Sequence, residues 1–210
     1  MELKDKHIHL LKTAERLFAN KGFEGTSVRD IAEEAGVNIA MISYYFGSKE
    51  KLMEALFEQR TAEIRMRVES LLKDNALSPM QKMDMLVEEH VERVMKDQPF
   101  QKIMICEQIL NNNPVILKVL KEIKLRNTRL IEQLIKNGQK KGCFRKKVDV
   151  VLLLSTMFGT ITHLMITHSF YRDFHNINEM GEVEFQKHLR IKMTDHIKKI
   201  FKALLLNESK

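Results

Sequence analysis

TSVRDIAEEAGVNIAMISYYFGSK, residues 26–49, reads as two short helices folded against each other across a tight turn. Ser27 and Asp30 have the Ser-x-x-acid spacing of a capping box, so a helix should begin near Val28. Its apolar positions Val28, Ile31, Ala32 and Ala35 are three and four apart and share one face, leaving Arg29, Glu33 and Glu34 outside. Gly36 then stands where a helix ends on a left-handed residue, a conformation that glycine adopts at little cost. Val37 plugs the corner and Asn38 caps a second helix, with Ile42 and Tyr45 inward and Ile39, Ala40, Ser43 and Tyr44 outward. This is the pattern of a helix-turn-helix, a motif whose second helix enters a DNA major groove.

Working outward, residues 4–20 carry Leu10, Leu11, Ala14, Leu17 and Phe18 on one face, closed by Lys21-Gly22. That helix completes a three-helix head, with Phe23 at its corner. Leu10-Leu11, Ala14, Leu17-Phe18, Gly22-Phe23, Thr26-Ser27, Ile31-Ala32, Ala35-Gly36-Val37, Tyr44-Tyr45-Phe46, Ser48-Lys49 and Leu52 keep fixed types and spacings. Over residues 8–57 this array resembles the N-terminal domain of TetR-family transcriptional regulators. The other three quarters of the chain carry no resemblance that we identify from sequence.

Beyond the head the periodicity stays helical. A long helix is expected over 49–73, with Leu52, Leu56, Phe57, Val68 and Leu71 buried, followed by a linker ending at Pro79. Further helices are expected over 79–96, from Pro99 to Leu110, and from Val115 to about Asn137, with Asn111–Pro114 as a turn. Two more follow, one of about twenty residues beginning near Val150 and one over 183–206. Nothing from Val150 to Tyr171 is charged, a length that could span a bilayer. Its Ser, Thr and His content points instead to a buried interface. The fold class is therefore all-α. The DNA-binding domain is placed at 1–47 and a helical ligand-binding and dimerisation domain at 48–210, sharing helix 49–73 as connector.

Composition narrows the class of function. Hydrophobic content of 44% with three prolines suits a helical globular protein. Cys106 and Cys143 lie in no metal or redox motif, and the N-terminus has no signal-peptide apolar core, so a cytoplasmic protein is expected. The net charge of +7 is not concentrated on the head: residues 1–60 hold 9 Lys/Arg against 10 Asp/Glu. Residues 118–147 hold 11 Lys/Arg against Glu122 and Glu132, either a solvated face or an auxiliary phosphate contact. No nucleophile–base pair or phosphate loop is found, so the chain is not read as an enzyme. His163 and His168, five apart and about 140° around a helix, do not pair on one metal. No cofactor is expected.

The resemblance implies that the cap of the second helix and most of the third touch double-stranded DNA. The matching positions are Thr26, Ser27, Arg29, Asn38, Ile39, Ala40, Met41, Ser43, Tyr44, Tyr45 and Lys49. Thr26 and Ser27 suit a phosphate at a helix N-terminus, and Tyr44 and Lys49 suit phosphates flanking the groove. Ile39, Ala40 and Met41 make apolar contacts only, and Ser43 can hydrogen-bond a base edge. Ile42 and Tyr45 are read first as core.

The resemblance also implies an effector pocket, for which methionine and scattered polar groups suggest a lipophilic small molecule. Its candidate residues are Met83, His90, Met104, Cys106, Gln108, Met157, Thr160 and His163. A homodimer is expected, since one reading helix needs a partner to cover an operator. Ser155 and Gly159, with Met193, Ile197, Ile200 and Leu204, are the candidate interface of a two-fold four-helix bundle. The sequence thus reads as a ligand-responsive repressor. The alternative is a helical small-molecule-binding or scaffold protein whose helix-turn-helix no longer serves DNA, favoured by the neutral head and apolar Ile39–Met41.

Overall fold

Ser27 begins the ordering of the head as its spacing requires. Its hydroxyl accepts the Asp30 N–H at 3.1 Å while its own N–H donates to Asp30 Oδ2 at 2.7 Å, closing the capping box. The structure, a computed structural model, describes residues 3–110 and 113–207. Within these the helices are α1 (Leu3–Lys21), α2 (Val28–Glu34), α3 (Ile39–Phe46), α4 (Lys49–Lys73) and α5 (Pro79–Lys96). They continue with α6 (Gln98–Leu110), α7 (Pro114–Lys140), α8 (Val150–Ile166), α9 (His168–Phe174) and α10 (Glu182–Leu205). The turn expected over Asn111–Pro114 falls partly on Asn111 and Asn112, which lie outside the described residues. Asn113 stands just before α7, its Oδ1 accepting the Val115 N–H at 3.0 Å.

The helices pack as two units, Met1–Arg67 with Asp97–Asn127, and Val68–Lys96 with Thr128–Lys210. These packing units cut the chain elsewhere than the 1–47 and 48–210 division, which was drawn by role.

In the first unit Leu10, Ile31, Ile42, Leu52 and Phe57 are wholly buried, so α1 to α4 share one core. Phe100 of α6 meets Phe57 edge-on, with ring centroids 5.8 Å apart. A buried aromatic pair adds about 0.5–1.5 kcal/mol beyond area burial. Charged struts surround this core. Arg126 of α7 grips Glu58 of α4 through both terminal nitrogens at 3.2 and 3.1 Å, and Lys124 donates to Gln108 of α6. Part of the basic 118–147 segment is therefore spent on internal pairing.

In the second unit α10 carries Phe185, Leu189, Met193, Ile197, Phe201 and Leu205 at every fourth position, none more than 1% exposed. This stripe packs on Met83, Val87, Val91 and Val94 of α5 and on Leu153, Met157 and Ile161 of α8. Lys202 and Lys198 of α10 pair with Asp84 and Glu88 of α5, the first at 3.3 Å. The ladder runs antiparallel and fixes the register.

The helix expected across 150–171 is in fact two. A 77° bend separates α8 from α9. Thr156, Thr160 and Thr167 each donate their hydroxyl to the carbonyl four residues back, at 3.0, 2.8 and 2.8 Å. Such bonds compete with the helical ladder and bend helices. Thr167, at the break, also occupies a non-helical conformation. Among the described residues no single helix is long and apolar enough to cross a membrane, although the bent pair is by length and composition.

Candidate nucleic-acid interface

The corner between α2 and α3 is set by Gly36 at φ +63, with the Val37 N–H donating to Ala32 O at 3.0 Å. Asn38 caps α3 through its Oδ1, which accepts the Ala40 N–H at 2.8 Å. With Ile42 wholly buried, α3 turns Ile39, Ala40, Ser43 and Tyr44 to solvent. Tyr44 is 77% exposed, a hydroxyl on a rigid arm with little packing of its own. Tyr45 is half-buried, edge-on to Tyr44 at 5.2 Å and to His7 of α1 at 5.9 Å, as its inward reading requires. Met41 is also half-buried, while Arg29 and Asn38 are exposed. His9 of α1 braces the end of α2, its Nε2 lying 3.2 Å from Ala35 O.

Two of the residues assigned to phosphate contact are turned inward. Thr26 is 0% exposed, and its hydroxyl donates to Gly22 O at 2.8 Å. Lys49 donates to the carbonyls of Phe23 and Thr26 at 2.9 and 3.0 Å, with its ammonium 4.1 Å from the Phe23 ring centre. Thr26 is enclosed in the buried corner before α2 and the half-exposed Lys49 ammonium is tied to that corner's carbonyls, which residue type and spacing do not reveal. Ser27 is exposed, yet its N–H and hydroxyl both donate to Asp30. Those bonds hold the Asp30 carboxyl below its usual range, so it is ionised at neutral pH. The donors left at this N-terminus are the backbone N–H groups of Val28 and Arg29, which have no intrahelical acceptor. Thr26 and Ser27, the positions expected from sequence to offer backbone N–H groups here, have their own amides engaged, by Phe23 O at 3.2 Å and by Asp30 Oδ2 at 2.7 Å, which moves the free donors on to Val28 and Arg29.

The pocket candidates divide between the two units. Met104, Cys106 and Gln108 belong to the first, and Met83, His90, Met157, Thr160 and His163 to the second. Gln108 and His163 are exposed rather than interior. Met83 and Met157, 2% and 6% exposed, fill the second core. The Thr160 hydroxyl is bound within α8. Cys106 is a half-buried free thiol, and Met104 is half-buried against the first core. His90 stands edge-on to Phe158 of α8 with ring centres 5.0 Å apart. Desolvation first, and then the neighbouring Arg93 charge, lowers its pKa to about 4, so the ring is neutral at pH 7.

The dimer candidates need a similar correction. Met193 and Ile197 are 1% and 0% exposed inside their own subunit, so neither offers a surface to a partner. The phase of α10 places them on the stripe facing α5 and α8. Ser155, Gly159 and Leu204 are exposed and Ile200 is half-buried. Missed in sequence were Leu152, Phe158 and Ile166 of α8, 65%, 44% and 65% exposed, which lie near Ser155 and Gly159 in the helical repeat. The apolar run concealed them because nearly every residue in it looked buried.

The family described as bacterial regulatory proteins, tetR family, matches residues 10–56. That described as YsiA-like protein, C-terminal region, matches residues 57–191, so the body has a family where sequence reading named none. The fatty acid metabolism regulator protein of Bacillus subtilis (strain 168) is 24% identical over 162 residues, 77% of this chain and 82% of that one. The HTH-type transcriptional repressor NicS of Pseudomonas putida is 29% identical over 175 residues, 81% of this chain and 75% of its own. Among solved structures, the transcriptional regulator FadR from Bacillus subtilis in complex with stearoyl-CoA superposes with a TM-score of 0.67 at 20% identity. The match covers 90% of this chain and 96% of that one.

Proposed function

We propose, on the premise that the chain belongs to the TetR family of bacterial regulatory proteins and is a DNA-binding transcriptional regulator, that it acts as a cytoplasmic, ligand-responsive homodimeric repressor. The observation that carries the reading is the outward face of α3. Ile39, Ala40, Ser43 and Tyr44 stand free on a helix whose inner face is anchored by the wholly buried Ile42 and whose ends are capped. A helix held so firmly with an exposed face fits a major groove. Ile39 and Ala40 would meet thymine methyls, Ser43 a base edge, and Tyr44 and Arg29 the phosphates. The Val28 and Arg29 amides would take another phosphate at the positive end of α2.

Residues 1–47 form the reading head in this proposal and residues 48–210 the sensing and dimerising body, with α4 as the connector. Two heads must stand about 34–36 Å apart to enter successive grooves. A ligand that favours a different spacing weakens DNA binding, and DNA weakens ligand binding by the same factor. The effector is a lipophilic small molecule. Support comes from the name of the 24%-identical Bacillus regulator and from the stearoyl-CoA bound by the structural neighbour. A neutral His90 beside Phe158 suits an apolar chain or a hydrogen-bonding group on it.

The deciding experiment is a gel shift against the DNA upstream of the chain's own coding region, with a salt titration and then addition of long-chain acyl-CoA. A retarded band that weakens with salt and is released by the acyl-CoA is the expected result. Binding without any release by lipophilic compounds would remove the effector proposal, and no binding at low salt would remove the operator.

A further inference from the structure

The outer face of α8 is uncharged, and the segments at its two ends carry opposite charge. Leu153, Leu154, Met157 and Ile161 turn into the second core, which leaves Leu152, Ser155, Gly159 and Ile166 in solvent. Leu152, Gly159 and Ile166 are seven apart with Ser155 between them, the spacing of a seam between paired helices. Gly159 lies near the middle of the helix, where an added Cβ would meet nothing within 4 Å.

Before α8, residues 138–149 hold Lys140, Lys141, Arg145, Lys146 and Lys147 against Asp149. This basic turn is firmly built. Phe144 is buried beneath it, the Arg145 N–H donates to Leu205 O at 2.7 Å, and Gln139 Nε2 donates to Arg145 O at 2.7 Å. After α8, residues 168–184 hold Asp173, Glu179, Glu182 and Glu184 against Arg172. Arg172 clamps α9 here, its guanidinium 3.8 Å from the centre of the Phe185 ring and donating to Met180 O at 2.7 Å. The clamped helix displays Phe170 and Phe174, 66% and 70% exposed. These two rings expose about 250 Å² together, roughly a third of the ~800 Å² that each partner buries in a stable interface.

The 17 residues of α8 hold the basic and acidic ends about 25 Å apart, about three Debye lengths at physiological salt. The ends therefore do not neutralise each other within one subunit. Two copies of α8 related by a two-fold axis lie either nearly parallel or nearly antiparallel. A parallel pair sets basic turn on basic turn and acidic end on acidic end, which is unfavourable. An antiparallel pair centred on Gly159 sets Leu152 of each copy beside Ile166 of the partner subunit. Each basic turn then meets an acidic end, and Phe170 and Phe174 gain the partner's exposed Val151 and Leu152 as apolar neighbours.

We infer that the chain pairs with a second copy of itself through antiparallel α8 helices, the basic turn at 140–147 of each docking on the acidic segment at 173–184 of the other. This rests on the homodimeric reading and adds to it a direction, a register and a use for the basic segment.

The test uses the full-length chain carrying Cys106→Ser and Cys143→Ser, so that only introduced thiols report. Leu152→Cys and Ile166→Cys, oxidised separately, should give little covalent dimer, while a mixture of the two should link. Charge supplies a second reading. Lys146→Glu with Lys147→Glu should raise the dimer dissociation constant at least about tenfold in sedimentation, because each reversal acts twice in a two-fold pair. Adding Asp173→Lys and Glu179→Lys to that same chain exchanges both surfaces and should restore the constant to within about threefold of the parent's.

No link in the mixture, or self-linking by either single variant that exceeds it, overturns the inference and leaves the dimer standing. A quadruple variant that dimerises no more tightly than the double one does the same. A parent that sediments as a monomer at every concentration removes the homodimer itself, and the inference with it.

Discussion

The Arg60 guanidinium of α4 donates twice to one carboxylate oxygen of Glu15 on α1, from Nε at 3.0 Å and from Nη2 at 2.6 Å. The Glu15 side chain is 7% exposed and that of Arg60 33%, and Asp97 stands 3.7 Å from the other side of the guanidinium. Glu15 shares the face of α1 that packs into the first core, so this is the polar rivet of an otherwise apolar seam. Removing one partner strands a buried charge. Breaking such a pair costs about 3–5 kcal/mol when both groups are buried, and the partial exposure of Arg60 reduces this to about 2 kcal/mol. Arg60→Ala should therefore lower the urea midpoint sharply. Glu15→Gln combined with Arg60→Ala should lose less than the two single changes added together. Strict additivity in that cycle would show that the two side chains do not act as a pair.

Thr26 and Arg29, three residues apart, should separate structure from DNA contact. Thr26→Val removes a buried hydroxyl and its bond to Gly22 O, costing about 1 kcal/mol of stability. It should leave the DNA affinity of the folded protein unchanged. Arg29→Ala should do the reverse, leaving the melting temperature nearly untouched and lowering the slope of log affinity against log salt by about 0.9. Tyr44→Ala should weaken binding without changing that slope, because the lost group is neutral. A DNA affinity lowered by Thr26→Val as much as by Tyr44→Ala, in a protein that is still fully folded, would return Thr26 to the interface.

The head was legible because its signals are local. Ser27, Asp30, Gly36 and Asn38 each determine a cap or a turn within three or four residues, and each occupies the structure as its spacing requires. The face of α3 followed from periodicity alone. What failed was non-local. Lys49 reaches back 26 residues to the Phe23 carbonyl, a distance over which spacing has no meaning. The phase of α10 was read correctly, but burial against α5 and burial against a second subunit give the same pattern. Met193 and Ile197 were therefore assigned outward when α5 already covers them. The break at Thr167 was hidden because a threonine that bends a helix and one that lies along it are the same letter.

His90 links stability to pH. Its pKa is about 4 in the folded protein, against about 6.5 for an unperturbed histidine, because burial disfavours the charged ring and Arg93 adds to the penalty. Above pH 6.5 both states are neutral and His90 contributes nothing to the pH dependence. As pH falls from 6.5 towards 4 the unfolded chain gains a proton that the folded one does not, so stability is lost across that window. The loss is on the order of 1–3 kcal/mol. Urea unfolding at pH 7 and pH 5 should show a larger drop for the parent than for His90→Leu. Carboxylates held low by hydrogen bonds, such as Asp30 and Glu182, titrate equally in both proteins and cancel from the comparison. Parallel pH profiles would show that His90 is not the desolvated group.

Glycine-to-alanine changes at Gly138 and Gly159 should act with opposite signs on the folded subunit, and the second tests the proposed dimer. At Gly138 of α7 an added methyl would lie 2.2 Å from a ring carbon of the buried Phe144, so Gly138→Ala should destabilise the subunit by a few kcal/mol at every protein concentration. At Gly159 of α8 nothing of the subunit lies within 4 Å of such a methyl. Taken alone, that subunit should gain about 0.5–1 kcal/mol from replacing a mid-helical glycine. In a dimer that brings a second α8 against Ser155 and Gly159, the same methyl holds the helices apart, and helices in contact are only about 8–10 Å between axes. Sedimentation equilibrium of Gly159→Ala should therefore show dissociation at concentrations where the parent is dimeric, together with a raised melting temperature for the monomer. A dimer as tight as the parent's would mean that the partner does not approach α8 at Gly159, and the two-fold face would have to be sought around Leu204 of α10.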